Sequence, residues 1–174
     1  MSEINITIEG GTQKRLLTAG KFCDKNILIT AEGGNSDDCN GLHISEDNLT
    51  ITGGCNYMFY LGHWDWFIEE FGNKITTKDL KNTELMFNGS DIVTIPFDMN
   101  YKADEECHNV NSTFKRMVKL KECGNIVNLH PNDFSDFFNG CNNLRYLPNF
   151  IDLDMTYSQT KNKAVDGMFY QCYS

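Results

Sequence analysis

The stretch FFNGCNNLRYLP, Phe137–Pro148, decides how the rest of the chain is read. A second stretch, MFNGSDIVTIP at Met86–Pro96, repeats its order: a pair ending in Phe, a glycine turn, two apolar residues three apart, and a proline. Working outward, Met58-Phe59, Thr113-Phe114 and Met168-Phe169 extend the series to five units, whose phenylalanines stand 28, 27, 24 and 31 residues apart. Self-similarity at this period signals stacked coils, and the last value shows that the loops between coils vary. A coil of this length cannot bury its own hydrophobic face, so neighbouring coils supply the cover and the core grows in one direction.

Aligned on the phenylalanine, Phe138, Cys141, Leu144, Leu147 and Pro148 correspond to Phe114, Met117, Leu120 and Cys123. After a one-residue deletion they also correspond to Phe87, Ile92, Ile95 and Pro96. With Phe59, Phe169 and Cys172 these form the expected inward core. Proline after the last apolar residue ends a short strand, because it has no N–H for a ladder. Asn139, Gly140, Asn142 and Asn143 suit a turn that enters left-handed backbone. The stretches 100–109 and 152–165 lack the pattern and are expected as polar loops projecting on one side.

The chain has 174 residues and 40% hydrophobic composition, including twelve Phe, seven Tyr and two Trp, which is enough for a real core. Its net charge of −9 opposes broad phosphate contact, and the densest basic group is only Lys115, Arg116, Lys119 and Lys121, so nucleic acid is not expected as a partner. No apolar run reaches membrane-spanning length, and MSEINITIEGG lacks the charged and apolar regions of a secretory signal. Neither membrane insertion nor export by a signal of its own is therefore expected.

Seven cysteines are an odd count, without CxxC spacing and without histidines at finger-like intervals, so reduced thiols are expected and zinc is not. Cys141 and Cys172 each follow the repeat phenylalanine by three residues. Stacked coils would bring them within disulfide range, although the reading preferred is that both are small side chains filling a tight turn.

Residues 1–34 differ in texture. INITIEGG (Ile4–Gly11) and NILITAEGG (Asn26–Gly34) alternate in β fashion and close on glycine pairs, and NLTITGG (Asn48–Gly54) repeats the pattern. Gln13–Asp24 between the first two is expected as a bend or short turn. So small a module buries little alone, which suits attachment or oligomerisation; an ordinary hairpin folded against the rest remains equally open. Residues 35–47 are expected as a linker. Asp37, Asp38 and Asn40 within it match no standard calcium loop.

In HWDWFIEEFG, the residues Trp64, Phe67, Ile68 and Phe71 recur at i, i+3, i+4 and i+7, predicting a short helix near 63–72 that caps the first coil and stops at Gly72. Trp66 lies off that stripe. Trp66, Tyr101 and Tyr157 are the aromatic residues expected to be exposed for recognition. A second helix is expected over Lys78–Phe87. Glu69 and Glu70 point in divergent directions from adjacent helical positions and make a poor acid/base pair.

The pattern F-x-x-C-x-x-L-x-x-L-P, carried by Phe138–Pro148, resembles the BspA-type leucine-rich repeats of bacterial surface proteins and phage virion proteins. The N-terminal ITIEGG…LLTAGKFCDKNILITAEGG resembles short β modules that begin tail or fibre proteins of phages. The resemblance implies a mainly β (α+β) chain with short helices: a β module at 1–34, a linker at 35–47, and an irregular leucine-rich-repeat solenoid at 48–174. It implies adhesion or virion assembly and no catalytic residue.

Nothing else in the sequence reads as catalysis. There is no phosphate-cradling glycine loop, GxSxG or HExxH. Cys107-His108 are adjacent in sequence, which does not supply nucleophile-base geometry. The expectation is a non-enzymatic phage virion protein without cofactor or metal, located in the virion. Its N-terminal module would bind other virion proteins or sister chains as a homo-oligomer, and its repeats would bind a host-surface glycan or protein. The alternatives are a bacterial cell-surface adhesin of BspA type and, less favoured, a glycan-cleaving enzyme. The chain stops at MFYQCYS inside the fifth unit, so a longer parent chain or another subunit is expected to cover that coil.

Overall fold

The computed structural model describes residues 4–9, 14–19, 28–29, 42–44, 49–103, 108–156 and 165–173. Strands β1 (Ile4–Glu9) and β2 (Lys14–Ala19) form an antiparallel pair, so the expected bend over Gln13–Asp24 contains a strand. Strand β3 (Leu28–Ile29) pairs antiparallel with β4 (Leu42–Ile44), and β4 with β5 (Leu49–Gly54). Residues 42–44, inside the expected linker, are thus a strand beside β5. The acidic group at Asp37, Asp38 and Asn40 lies outside the described residues.

From β5 onward every pairing is parallel. Helix α1 (Asp65–Phe71) leads through a single 3₁₀ turn into β6 (Ile75–Asn82). Five two-residue strands and one of three residues follow: β7 (Thr94–Ile95), β8 (Met99–Asn100), β9 (His108–Asn109), β10 (Glu122–Cys123), β11 (Ile126–Val127) and β12 (Pro131–Asp133). The last is β13 (Phe150–Ile151). They form three ladders: β12-β9-β6-β5-β4-β3, β13-β11-β8, and β10-β7. Short parallel strands recurring once per coil make a mainly β chain with little helix and a β-solenoid-like stack of about four turns.

The unit that builds the stack is a six-residue turn, found at 56–61, 84–89, 111–116, 135–140 and 166–171. Its second and sixth residues are left-handed in every copy: Tyr57 and Leu61, Leu85 and Gly89, Ser112 and Arg116, Asp136 and Gly140, Gly167 and Gln171. That backbone aims alternate N–H groups in two directions. The fifth residue donates within its own turn, as Asn88 does to Leu85 O, and in four of the five copies the third donates to the residue just before the turn, as Met86 does to Thr83 O. The second, fourth and sixth donate to the next coil. Leu85 thus reaches Asn111 O at 3.1 Å, Phe87 reaches Thr113 O at 2.9 Å and Gly89 reaches Lys115 O at 2.8 Å. The same three bonds recur at all four coil interfaces. Of the asparagine-rich turn expected at 139–143, only Gly140 is left-handed, and its companion is Asp136.

The fourth residue is the repeat phenylalanine, and the ladder places its copies one above another. Phe59, Phe87, Phe114, Phe138 and Phe169 stack with centroids 5.2, 5.3, 5.0 and 5.8 Å apart and planes within 12° of parallel. Burying each ring contributes roughly 1.5–3 kcal/mol, and each aromatic pair about 0.5–1.5 kcal/mol more. Around them Ile92, Ile95, Met117, Leu120, Cys141 and Leu144 are buried as the alignment predicts, Met58, Met86 and Phe137 before the repeat phenylalanine are buried as well, and β7 aligns Ile95 with Cys123 of β10. The residue that alignment left blank in the second unit is Ser90: its N–H bonds to Phe87 O as that of Met117 does to Phe114 O.

Three expected core positions differ. Leu147 is 61% exposed, because Arg145 and Tyr146 both donate to Lys121 O and the chain leaves the β10-β7 ladder there instead of extending it. Phe169 is 43% exposed, since only one of its faces meets a neighbouring coil. Cys172 is half-buried for the same reason. Both Cys141 and Cys172 are free thiols, donating Sγ–H to Phe114 O and Phe138 O of the preceding coil.

Helix α1 buries Trp64, Phe67 and Ile68 as its periodicity requires, with Phe71 packed against the core. The next coil caps it: Asp91 Oδ1 accepts the N–H groups of Trp64 at 2.9 Å and Asp65 at 3.3 Å. Asp65 Oδ1 in return accepts Val93 N–H at 3.0 Å. Gly72 does not end the helix by turning left-handed, having φ −54°; a side chain there would sit 2.7 Å from Pro96 Cγ, so close approach of the next coil selects glycine. The helix expected over Lys78–Phe87 is instead β6 and the second turn. Ile75 and Thr77 alternate inward, and left-handed Asp79 shifts the phase so that Leu80 is also buried.

Candidate recognition surface

With the apolar repeat positions turned inward, binding chemistry falls to the outside of the coils. Trp66 projects from α1 and is 46% exposed, its ring held edge-on by Phe67 at 5.7 Å. An aromatic side chain anchored at one edge and open at the other is a stacking platform. Beside α1 lies a groove of about 320 Å³, walled by Asp65, Glu69 and Asn73 on one side and Val93, Thr94 and Pro96 on the other. Glu69 is exposed, while Asp65 is engaged with Val93.

Tyr101, expected on the surface, is 2% exposed. Its hydroxyl meets Thr83 Oγ1 at 2.7 Å, and Thr83 Oγ1 meets Thr113 Oγ1 at 3.1 Å, a polar chain linking successive coils. Burial pushes the phenol far above its usual range, outweighing the Thr83 hydrogen bond that favours ionisation. Tyr101 is buried where exposure was expected because its hydroxyl has a partner inside the stack, which sequence spacing does not reveal. Tyr157 lies outside the described residues.

A charged line crosses three coils on the flank beyond the turns. Asp91 Oδ2 receives His63 Nδ1 at 2.9 Å and stands 3.6 Å from Lys119 Nζ. Burial would raise the Asp91 pKa, but the His63 bond, the N–H groups of Trp64 and Asp65 and the Lys119 charge together hold it below the usual carboxylate value. Lys115 and Asp136 make a second inter-coil pair at 2.6 Å.

His108 is buried, with Nδ1 accepting His130 N–H at 3.0 Å and Nε2 donating to Lys102 O at 3.2 Å. The Nδ1 bond requires an acceptor and so fixes the neutral tautomer; a structural role follows, not that of a general base. Its sequence neighbour Cys107 lies outside the described residues. Burial pushes the Cys123 thiol up to about 12, with Glu122 adding to it, and the Cys141 thiol likewise to about 12, with Cys172 adding to it. Such thiols are inert at neutral pH. Among the described residues no three His, Cys, Asp or Glu side chains gather as a metal site, and no helix is long and apolar enough to cross a membrane.

Val118, Tyr146, Leu147, Ile151, Tyr170 and Tyr173 are among the exposed apolar residues that the sequence does not announce, all toward the later coils. The loss of the third strand of the β10-β7 ladder exposes Tyr146 and Leu147, and no local motif announces it. No family model, no curated protein and no solved structure matches the chain.

Proposed function

We propose that the chain is a non-enzymatic structural protein of a phage virion, a component of a tail, fibre or other surface appendage. The N-terminal segment attaches to other virion proteins or sister chains, and the stacked coils display a surface for a host-surface glycan or protein. The finer assignment proposed with it is a separate β module at 1–34 and BspA-type leucine-rich repeats at 48–174. The observation that carries this reading is the division of labour among the aromatic residues. The repeat phenylalanines are engaged in a continuous internal ladder, whereas Trp66 stands outside it, exposed on α1.

Two measurements test the reading. Antibody against the purified chain, applied to particles released by cells that make it, is expected to label a particle appendage. Label confined to the bacterial surface would replace the proposal by a BspA-type adhesin. A glycan array probed with the intact chain is expected to give saturable binding that Trp66→Ala reduces at least tenfold. Hydrolysis of an array sugar, abolished by Glu69→Gln, would contradict the non-enzymatic reading.

A further inference from the structure

The fifth residues of the six-residue turns form one column of the stack: Tyr60, Asn88, Lys115, Asn139 and Tyr170. The second residues form another: Tyr57, Leu85, Ser112, Asp136 and Gly167. Among the described turns, these columns set a lysine, an aspartate and an asparagine together only where 111–116 meets 135–140. Asp136 Oδ2 accepts from Lys115 Nζ at 2.6 Å, and Asp136 Oδ1 accepts from Asn139 Nδ2 at 2.6 Å. One carboxylate thus holds an amine and a carboxamide, one on each oxygen. The backbone does not require aspartate there, since Leu85 and Ser112 take the same left-handed conformation in the two preceding turns.

The group is shielded on two sides. The side chains of Lys115 and Asp136 are only 25% and 30% exposed. The turn 166–171 closes over the carboxylate: a Cβ at Gly167 would stand 2.5 Å from Asp136 Oδ1 and 3.5 Å from Asn139 Nδ2. Asn139 precedes a glycine, an arrangement in which the glycine nitrogen ordinarily attacks the side-chain carbonyl. Here Gly140 N–H is held by Tyr170 O at 2.7 Å and is not free to do so. The nitrogen nucleophile placed beside Asn139 is Lys115 Nζ, across the shared carboxylate.

We propose that Lys115 and Asn139 form an isopeptide bond that fastens the third turn to the fourth, with Asp136 carrying the proton. The Lys115 ammonium passes a proton to the Asp136 carboxylate, and the neutral amine attacks Asn139 Cγ. Asp136 then delivers its proton to Nδ2. The Nζ–Cγ bond forms, the Cγ–Nδ2 bond breaks and ammonia departs. Lys115 gives up two protons in all, and the nitrogen of Asn139 leaves with both, as ammonium. No oxidant, cofactor or partner takes part. Lys115 and Asn139 lie in different coils and meet only through the ladder, so stacking supplies the proximity that amide exchange lacks in solution. The bond is independent of what the outer surface binds.

Intact mass spectrometry of the full chain, folded and then denatured, tests this. The expected mass is lower than that of the sequence by one ammonia, and tryptic mapping is expected to find Lys115 uncleaved and joined to the peptide that carries Asn139. Lys115→Arg keeps the ion pair to Asp136, and Asp136→Asn suits the same left-handed backbone. Each is expected to restore the full sequence mass while the far-UV circular dichroism of the native chain is retained. A native chain at its full sequence mass would overturn the proposal. So would a loss of one water, which would join Lys115 to Asp136 itself, or an ammonia loss that persists in Lys115→Arg, which would be cyclisation at Asn139-Gly140.

Discussion

Phe87 and Phe114 stack with centroids 5.3 Å apart and planes 4° from parallel, although 27 residues of chain separate them. Isolated rings prefer offset or edge-to-face contact. The parallel geometry is imposed by the backbone: Phe87 N–H bonds to Thr113 O, and stacked strands repeat at about 4.8 Å. The interior of the stack should therefore be far less tolerant than its open end. Replacing Phe114 by Ala is expected to cost about 3–5 kcal/mol in urea unfolding. Phe169→Ala should cost under about 1 kcal/mol, and equal losses would contradict the stacking order.

Gly124 lies where two coils touch through backbone. A Cβ there would stand 2.2 Å from Phe97 O and 2.8 Å from Asp98 N, atoms that cannot rotate aside. Gly124→Ala is expected to destabilise by about 1–3 kcal/mol, comparable to overpacking a core. Thermal unfolding checks this, and an unchanged midpoint would show that the approach is looser than described.

Equivalent turn positions carry different residues. Arg116 and Gly140 both occupy the sixth position, with φ +60° and +79°. A left-handed non-glycine residue costs roughly 1–2 kcal/mol, partly offset by the greater unfolded-chain freedom of glycine. Arg116→Gly is expected to raise stability by up to about 1 kcal/mol and Gly140→Ala to lower it by about 1 kcal/mol, as read by denaturant midpoints.

Asp91 ties α1 to two neighbouring coils, and its carboxyl titrates below the usual value. A depressed folded pKa gives stability that is present above the unfolded value near 3.8 and lost as pH falls through the folded one. The stability gap between the native chain and Asp91→Asn is therefore expected at pH 7 and should narrow below about pH 3.8. A gap that widens on acidification would refute the assigned partners.

Burial that lifts the Cys123 and Cys141 thiols to about 12 leaves almost no thiolate at neutral pH. Iodoacetamide at pH 8 should label both at least tenfold faster after unfolding than before, as read by peptide mass spectrometry. Rapid labelling of either in the folded chain would show that its coil opens.

The stack was legible in the sequence because each coil leaves the same physical trace: an inward phenylalanine, then apolar residues at fixed offsets. Helix α1 was legible for the same reason, through Trp64, Phe67, Ile68 and Phe71. The features that escaped depend on backbone direction. Leu85, Ser112 and Arg116 give no sign of left-handed φ, because the ladder and not their own propensity holds them there. Lys78–Phe87 looks helical until Asp79 inverts the phase of β6. Leu147 and Tyr101 lie on the opposite sides from those expected, because a lost strand exposes the first and the Thr83 hydroxyl satisfies the second inside the stack. Of the candidate surface, only Trp66 was legible, by its absence from the apolar stripe.

Residue-resolved amide hydrogen exchange tests the stacked-turn account most directly. The account predicts strong protection at Leu85, Phe87, Gly89, Ser112, Phe114 and Arg116, whose N–H groups cross to the next coil, and fast exchange at Gly167, Phe169 and Gln171. Unprotected amides at Phe87 and Phe114, or protection at Phe169 equal to theirs in the isolated chain, would contradict it.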